Sequence, residues 1–435
     1  MNNELNQILF LSTEPDFHTK FERLHLATMR QAAIKANDIR GRVREIIINI
    51  GQVGDEAVVE FTKRYDGVAL KPQELRISKE ELRKAHKEID PRLLGSIRQA
   101  IKNVRQYQSK IFIGKRKYAG LKYTPIKRVG VCVPGASAPL PSTVIMNAVP
   151  AQVAGVKEIV IVSPPRYKGS IHPVILATCW ELKIDEVYRI GGAQAVAALT
   201  LGTKTIKKVN KIVGPGNQWV QTAKQDVFGF VGIDSIAGPS EVLIIANDKA
   251  NAEWVAADML SQAEHCPGSA ILFTNSKKLA EKVLAELKKQ ITELGRAQET
   301  IKCLKEYSGI VVFKNMAEII ARANDFAAEH LEIQCGSDSR KIAEKIENAG
   351  AIFIGDYSPV AVGDYWAGPS HTLPTGMSAK FFSALSANDF IKGTSIIEYN
   401  KKKLARDAED IIRLAQCEGL DAHARSVKIR IQARK

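Results

Sequence analysis

The chain has 435 residues, of which 45% are hydrophobic and 25% charged, and it carries a formal net charge of +15. This length exceeds what one hydrophobic core usually supports, so two or more lobes are expected. No apolar run is long enough to cross a bilayer, and the start of the chain lacks the regions of a secretory signal. Lysine and arginine are spread widely without a recognisable reading motif, which argues against nucleic-acid binding as the main function.

Six cysteines are scattered along the chain without a C-x-x-C pair. This pattern favours a reducing cytoplasm over a disulfide framework or a thiolate zinc site. The excess of basic residues is suited to attracting an anionic small molecule such as a dinucleotide.

Residues 1–120 are predicted to be mostly helical. Apolar residues recur at helical spacing over 30–62, a capping box begins at Ser78, and Asp90-Pro91 opens a further helix. This section carries packing residues and shows no chemistry.

From residue 127 the pattern changes to short β-branched runs that alternate with Ala-rich helical stretches. Such alternation predicts parallel sheets, here two of them. The predicted strands are 129–133, 158–162, 186–190, 211–213, 241–246, 270–274, 309–313 and 350–354.

Four loops rich in Gly and Pro lie beside these strands, at 133–142, 191–194, 214–217 and 237–241. In open α/β sheets ligands bind outside the carboxyl ends of strands, where such loops lie. None is a G-x-G-x-x-G fingerprint or a Walker A loop, so neither standard nucleotide motif is present. Four such loops in series nevertheless favour a ligand cleft.

The adjacent pair Glu329–His330 ends an apolar run that is interpreted as helical. A carboxylate beside an imidazole, which titrates near neutrality, is suited to proton transfer. Adjacent helix residues point about 100° apart, so the two side chains are expected to serve different protons.

Other polar side chains fall in distinctive segments further along the chain. A predicted helix at 251–265 carries Gln262 and His265 on one face, and a Gly- and Pro-rich loop at 354–374 carries Asp364 and His371. A helical tail ends near His423. Gln262, His265, Asp364 and His423 form a nitrogen and oxygen donor set suited to a zinc-type ion. Their separation along the chain leaves that grouping open.

Taken together, these segments resemble the histidinol dehydrogenase family. The motifs span roughly residues 50–425 in the family's order and are highly specific as a set. They are V-G-D-E-A at 53–57, P-S-T-V-I-M-N-A-V-P-A at 141–151, G-G-A-Q-A at 191–195, G-P-G-N at 214–217, A-G-P-S-E at 237–241, S-Q-A-E-H at 261–265, A-A-E-H-L at 327–331, G-D-Y-W-A-G-P-S-H-T-L-P at 363–374 and E-G-L-D-A-H at 418–423.

The resemblance implies a cytoplasmic, zinc-dependent enzyme that makes two successive NAD-linked oxidations. L-histidinol would become L-histidinaldehyde and then L-histidine, the last steps of histidine biosynthesis. In the family, zinc binds the imidazole and amino nitrogens of the substrate. No nucleic acid or membrane is expected as a partner.

The family's functional residues carry over position by position. Gln262, His265, Asp364 and His423 would hold zinc and contact the substrate, while Ser240, His330, His371 and Glu418 would also line it. Glu329 and His330 would be the acid/base residues, and Gln194 and Asn217 would contact NAD. Glu418 and His423 would act in trans within a homodimer, whose active sites are shared.

The chemistry agrees with these assignments. Alcohol oxidation needs a base for the hydroxyl proton as hydride leaves, a role suited to His330. Aldehyde oxidation needs an activated water, a role suited to Glu329. A metal ion held by nitrogen and oxygen donors would orient the substrate for both hydride transfers.

The resemblance also implies an α/β fold with two Rossmann-like parallel-sheet lobes and helical N- and C-terminal arms exchanged in a dimer. The expected parts are an arm at 1–23, a first lobe at 24–128 and 241–384, and an inserted NAD-facing lobe at 129–240. A helical tail at 385–435 would contribute to the partner's active site.

The chain departs from the family's pattern at several positions. Cys132 replaces an NAD-contacting tyrosine, and Ala136 replaces the last residue of a Pro-Gly-Gly sequence. Cys266 follows the proposed zinc histidine where the family has glycine. Lys207 and Asn210 replace an expected Pro and Asp. None of these changes removes a proposed metal ligand or an acid/base residue.

Two alternatives stay open from the sequence. One is a zinc- and NAD-dependent dehydrogenase of the same superfamily that acts on another small polar alcohol, such as a sulfonated diol. Glu418 and His371 argue against it, while Cys132 and Ala136 leave it open. The other is a basic binding or regulatory protein that has lost turnover, and the retained acid/base pair and ligand set argue against that.

Overall fold

The computed structural model describes residues 4–33, 36–116, 119–135, 138–265 and 267–432. The strands are β1 Leu9–Leu11, β2 Leu121–Pro125, β3 Arg128–Cys132, β4 Glu158–Val162, β5 Val187–Tyr188, β6 Lys211–Val213, β7 Gly232–Ile233, β8 Ser240–Ala246, β9 Gly268–Thr274, β10 Gly309–Val312, β11 His330–Gln334, β12 Ala351–Ile354 and β13 Ile391–Ser395. All eight strands predicted from the sequence are present, with ends shifted by at most two residues.

The α-helices are α1 Phe17–Ala33, α2 Ala36–Val53, α3 Asp55–Asp66, α4 Lys79–Glu88, α5 Pro91–Ile111, α6 Pro141–Ala154, α7 Pro173–Glu181, α8 Gly192–Leu201, α9 Gln218–Val227, α10 Ala252–Ala263, α11 Lys277–Gln290, α12 Ala297–Tyr307, α13 Met316–Phe326, α14 Ser339–Ala343, α15 Val360–Tyr365, α16 Lys401–Cys417 and α17 Asp421–Gln432. No helix in the described ranges is long and apolar enough to span a membrane.

Two parallel sheets confirm the predicted α/β architecture. The five-stranded sheet has the order β5-β4-β3-β6-β7, and the six-stranded sheet has the order β1-β10-β9-β8-β11-β12. Each order runs outward in both directions from its first long strand, β3 or β8, as in doubly wound folds.

Helices cover both faces of each sheet, which explains why most strands are apolar on both sides. In the six-stranded sheet, Val242 and Ile244 pack toward α10 and α11, while Leu243 and Ile245 pack in the core formed with α1 and α13. The first lobe was expected to include residues 24–128 as well as the six-stranded sheet, but three helices from that range pack elsewhere. Helices α2, α4 and α5 contact the helices α6 to α9 beside the five-stranded sheet, because their apolar faces bury against them.

Two short regions differ from the expected helices. Residues 1–23 were expected to form a helical arm, yet Leu9–Leu11 pairs in parallel with β10 at the edge of the six-stranded sheet. The apolar run before Glu329 ends as a helix at Phe326, where Ala327 adopts a left-handed conformation with φ 49°. His330 then begins a strand, so the helical interpretation of Glu329–His330 was wrong.

The described chain divides into two units. The first comprises residues 1–112 and 125–391 and contains both parallel sheets, and the second comprises 113–124 and 392–435. In the second unit α16 and α17 pack together after β13, which pairs with β2.

Candidate active site

The candidate acid/base residues Glu329 and His330 lie at the amino edge of the six-stranded sheet, where β8 and β11 begin side by side. The Glu329 carboxylate oxygen Oε2 accepts hydrogen bonds from the Ser240 hydroxyl at 2.6 Å and the Glu241 backbone N–H at 2.8 Å. His330 Nδ1 donates to the Glu241 carbonyl oxygen at 3.0 Å. That bond fixes the ring, so in its neutral form Nε2 carries the lone pair.

The sequence-based expectation that the two side chains diverge is not met. Glu329 Oε2 lies 3.5 Å from His330 Nδ1, because both side chains bond to the same segment, Ser240–Glu241. The motif A-G-P-S-E supplies both the hydroxyl and the backbone groups that hold the pair. These residues lie at the amino ends of the strands, in contrast to the carboxyl-end location expected for the ligand loops.

Asp364 and His371 meet His330 at a cavity of about 340 Å³. Asp364, on α15, places Oδ1 3.5 Å from His330 Nε2, and His371 follows in the loop. Burial tends to lower the pKa of His330, but the Glu329 charge and Asp364 together raise this pKa well above its ordinary value. Burial tends to raise the pKa of Asp364, but His330 lowers it, so that the carboxylate stays ionised. Burial lowers the pKa of His371.

Gln262 and His265 come from the carboxyl end of α10. Gln262 is buried, while His265 is exposed just beyond the helix and donates its backbone N–H to the Gln262 carbonyl at 3.3 Å. The charge of His265 also contributes to lowering the pKa of Asp364, so these side chains interact electrostatically. Cys266, which follows this histidine in the sequence, lies outside the described residues.

Glu418 and His423 belong to the second unit. Glu418 caps the carboxyl end of α16, His423 lies in α17, and both are exposed. Among the described residues, no group of three or more His, Cys, Asp and Glu side chains is arranged to hold a metal. The two candidate metal ligands of those types in the first unit are His265 and Asp364.

A second acid cluster, which the sequence did not reveal, lies on the same face of β11 as His330. Gln334 Nε2 donates to Asp258 Oδ2 on α10 at 2.7 Å and to Glu332 Oε2 at 3.2 Å. Glu332 Oε1 accepts from the Val360 N–H at 2.8 Å, at the start of α15. Burial and the Asp258 charge raise the pKa of Glu332 well above its ordinary value, so the pair of carboxyls shares a proton. The cluster therefore links the helices that carry Gln262 and Asp364.

Glu241 is a further buried carboxyl beside the acid/base pair. Its Oε1 accepts from the Gly376 N–H at 2.6 Å, while Oε2 is buried and has no hydrogen-bond partner in the described structure. Burial, reinforced by the charge of Glu329, raises the pKa of Glu241 to about 8. The Glu241 side chain is therefore protonated and uncharged at neutral pH, so it places no second negative charge beside Glu329.

Replacing Glu241 with glutamine is expected to stabilise the protein at pH 8 and to have little effect near pH 4.5. Between these values the unfolded carboxyl is ionised while the folded one still binds a proton, so folding stability falls as the pH rises. Glutamine keeps an acceptor for Gly376 and cannot ionise. Each pKa unit is worth about 1.4 kcal/mol. Thermal unfolding between pH 5 and 8 measures the difference. Exposed Glu347→Gln is the control, and a gain that is independent of pH would contradict this reading.

A second cavity, of about 250 Å³, lies at the carboxyl edge of the five-stranded sheet. It is lined by the segments that follow β3, β4, β5 and β6, and the boundary between β3 and β6 is where the strand order reverses. Gln194 lies in this lining, buried at the start of α8. Three of the four Gly- and Pro-rich loops thus meet at the edge where the sequence predicted a ligand cleft.

Close packing accounts for the glycines of these loops. A Cβ on Gly191 would lie 2.7 Å from the Pro164 side chain, and Gly214 has φ 104° and abuts the Cys132 carbonyl. The Gly214 N–H donates to Asp234 Oδ2 at 2.7 Å, and its carbonyl accepts from Lys224 Nζ at 3.2 Å. Asp234 and Lys224 themselves form a buried ion pair. The loop is thus held rigidly at the cavity.

Asn217 and Cys132 line the same cavity, although each has a structural role of its own. Asn217 is exposed, and its Oδ1 caps α9 by accepting from the N–H groups of Trp219 and Val220, which leaves the amide nitrogen for a ligand. Burial raises the pKa of the Cys132 thiol to about 12, so this residue is a neutral lining group and not a nucleophile. Ala136 lies outside the described residues.

The two cavities fit different groups. The cavity near His330 is lined by imidazole and carboxylate groups, from His330, His371 and Asp364, which are among the groups that zinc accepts. Gln262 Nε2, His330 Nε2 and His371 Nε2 are buried without hydrogen-bond partners among the described residues. Buried polar atoms of this kind call for an explanation, and a bound ion or ligand is one. The cavity at the five-stranded sheet has the location and the glycine-lined backbone suited to a dinucleotide.

Comparison with known proteins gives a consistent result. The profile of the histidinol dehydrogenase family matches residues 29–431. A histidinol dehydrogenase from Synechococcus sp. is 46% identical over 399 residues, covering 90% of this chain and 92% of the relative. One from Geobacillus kaustophilus is 42% identical over 426 residues, covering 95% and 99%. The crystal structure of histidinol dehydrogenase from Elizabethkingia anophelis matches with a TM-score of 0.89 at 34% identity, covering 98% of both chains.

Proposed function

This chain belongs to the histidinol dehydrogenase family of NAD-dependent oxidoreductases, and on that premise we propose that it oxidises L-histidinol to L-histidine through L-histidinaldehyde. Two molecules of NAD would be consumed, as the last steps of histidine biosynthesis in the cytoplasm. The observation that carries the proposal is the meeting of His330 with Asp364 and His371 at one cavity, with the Glu329 carboxylate 3.5 Å from the His330 ring.

His330 is the proposed base for the alcohol step. Its Nδ1 is committed to the Glu241 carbonyl, so Nε2 faces Asp364 and is the atom available to accept the hydroxyl proton as hydride leaves the carbinol carbon. When bound, NAD would supply the hydride acceptor. A cation bound by Asp364 would offset the negative charge of this carboxylate, which helps to raise the pKa of His330. The pKa of His330 would then fall, which favours the neutral imidazole that a base requires.

Glu329 is the proposed base for the aldehyde step. The two hydrogen bonds from Ser240 and Glu241 both engage Oε2, so Oε1 lies outside them. That oxygen can take a proton from water as the water oxygen bonds to the aldehyde carbon, which gives the hydrate. Loss of a hydride from the hydrate carbon, for which a second NAD would be the acceptor, and of a proton from one hydroxyl group then gives the carboxylic acid.

Gln262, His265, Asp364 and His423 are the proposed zinc ligands. When bound, zinc would supply a positive charge that orients the imidazole and amino nitrogens of the substrate. The proposal is supported by the ionised carboxylate of Asp364. Ser240, His371 and Glu418 are the proposed additional substrate contacts.

Gln194 and Asn217 are the proposed NAD contacts, in an inserted lobe at 129–240. Their positions in the lining of the 250 Å³ cavity support this assignment. Gln194 already donates to Asp66 Oδ2 at 3.3 Å, so its carbonyl oxygen is the group available to the cofactor. Backbone of the Gly-rich loops would supply the remaining contacts in place of the missing tyrosine.

A homodimer with shared active sites is also proposed, in which the tail at 385–435 brings Glu418 and His423 to a second subunit. Two observations support it. The first unit contains three of the four proposed zinc ligands, Gln262, His265 and Asp364, whereas His423 belongs to the second unit. The tail helix α16 buries Ala408 and Ala415 but leaves Leu414 67% exposed, so it presents apolar surface for another chain to cover.

The test is NADH formation by the purified protein with L-histidinol, with and without a chelator and added zinc. We expect two NADH per histidinol, loss of turnover on chelation and recovery with zinc. Bound zinc without turnover of histidinol would instead favour a relative that acts on another small alcohol, such as a sulfonated diol. Absence of both zinc and turnover would contradict the proposal.

A further inference from the structure

An aspartate with a buried side chain lies in the lining of the proposed NAD cavity. Asp66 is the last residue of α3, and its side chain is 4% exposed. Oδ1 accepts from Arg166 Nε at 2.9 Å, and Oδ2 accepts from Gln194 Nε2 at 3.3 Å. All three residues line the cavity of about 250 Å³. The cavity therefore contains a carboxylate that faces one cation and one amide.

The topology indicates which part of a dinucleotide this group would meet. β3 and β4 are the first two strands of the five-stranded sheet, joined through α6 as in a dinucleotide-binding unit. In such units an acidic residue after the second strand binds the 2′-hydroxyl of the adenosine ribose, whereas an arginine there accommodates the 2′-phosphate of NADP. This chain has Arg166 four residues after β4 ends at Val162. By position alone, the arginine would favour NADP.

The negative charge of Asp66 would reverse that preference for NADP. Its carboxylate comes from α3, outside the sheet. The Asp66 side chain is 4% exposed and the Arg166 side chain 40%, so the carboxylate is the more deeply buried member of the pair. Arg166 also directs an Nη2 atom to the Tyr65 carbonyl oxygen at 3.5 Å, so its donors are turned toward the end of α3. A 2′-phosphate placed there would face the negative charge of Asp66, while a 2′-hydroxyl could donate to it.

We propose that Asp66 is the residue that selects NAD over NADP, by accepting the ribose 2′-hydroxyl and by withholding Arg166 from a 2′-phosphate. The inference rests on the proposed location of NAD in this cavity. It assigns specificity to a contact between a helix end and a loop, in a chain that lacks the usual acidic residue after the second strand.

A purely structural ion pair is the alternative, and the chain offers a matched control. Asp226 on α9 has a side chain 6% exposed and accepts from Arg40 Nε at 2.8 Å and Arg44 Nε at 3.1 Å. It does not belong to the cavity lining. Asp226→Asn therefore removes the same kind of charge from the same kind of pair without touching the proposed cofactor site.

The experiment compares kcat/KM for NAD and NADP, with L-histidinol and the zinc-loaded protein. Asp66→Asn is expected to raise the NADP-to-NAD ratio by roughly tenfold or more, since it removes the negative charge that repels a 2′-phosphate and that pairs with Arg166. Adding Arg166→Ala should abolish the gain, and Asp226→Asn should leave the ratio unchanged. An unchanged ratio in Asp66→Asn, or an equal rise in Asp226→Asn, would overturn the inference.

A binding measurement separates failure of this inference from failure of the proposed cofactor site. Trp219 lines the cavity, whereas Trp254 lies on α10 and does not. NADH should quench the fluorescence of Trp254→Phe protein and should quench Trp219→Phe protein much less. If the two variants respond alike, the cofactor location is wrong. If Trp219 reports binding and Asp66→Asn keeps the parent ratio, the location stands and Asp66 is not the selector.

Discussion

Replacing Glu329 with glutamine is expected to slow oxidation of the aldehyde by about 10²- to 10⁴-fold and to affect oxidation of the alcohol much less. Glutamine has nearly the same shape and retains an oxygen to accept the hydrogen bonds from Ser240 and Glu241. It cannot accept a proton from water, so formation of the hydrate loses its base. His330 keeps its bond to the Glu241 carbonyl and remains available for the alcohol step.

Rates should be measured separately with L-histidinol and with L-histidinaldehyde, by following NADH. The variant supplied with histidinol should release aldehyde or accumulate it on the enzyme, and the yield should fall from two NADH toward one. Glu241→Gln is the control for loss of a neighbouring carboxyl, because it leaves Glu329 intact. If Glu329→Gln blocks the alcohol step alone, the roles assigned to Glu329 and His330 are incorrect.

Replacing His265 with alanine is expected to release the metal and to reduce both oxidation steps by roughly a hundredfold or more. His265 is exposed at the end of α10, so its loss should leave the fold intact, unlike changes at buried Gln262. Because both steps need the same oriented substrate, they should fall together. This distinguishes the variant from Glu329→Gln, in which the steps separate.

Metal content after gel filtration is the direct readout, with one zinc per subunit expected for the parent protein. Exposed His18→Ala on α1 is the matched control and should retain both zinc and turnover. Thermal unfolding of both variants in the presence of a chelator checks that the fold is equally stable. Full zinc occupancy in His265→Ala would remove this residue from the ligand set.

The amino-acid sequence by itself determined the architecture and the residue types available for chemistry. Parallel strands covered on both faces are nearly continuous apolar runs, so their ends could be located within two residues in every predicted case. The ordered motifs identified the family and, with it, Glu329, His330, Asp364 and His371. Those are properties of local composition and of spacing along the chain.

The strand at His330–Gln334 shows what the sequence could not settle. Its residues alternate apolar and polar, a pattern that normally places the polar face in water. Here His330, Glu332 and Gln334 are all buried, and Gln334 bonds to Asp258 on α10. The polar face is covered because α10 carries polar residues at matching positions, and no local pattern records that pairing.

Only the tertiary structure decided which groups meet. The register of β8 against β11 places the Glu241 backbone between Glu329 and His330, and the chain turn after α3 brings Asp66 to Arg166 and Gln194. These contacts join residues 88 to 128 positions apart and determine the hydrogen bonds, the pKa of Glu241 and the charge balance of the cavity of about 250 Å³. Side-chain chemistry is written in the sequence, but the distance between two groups, on which hydrogen bonding and electrostatics depend, exists only once the sheets have formed.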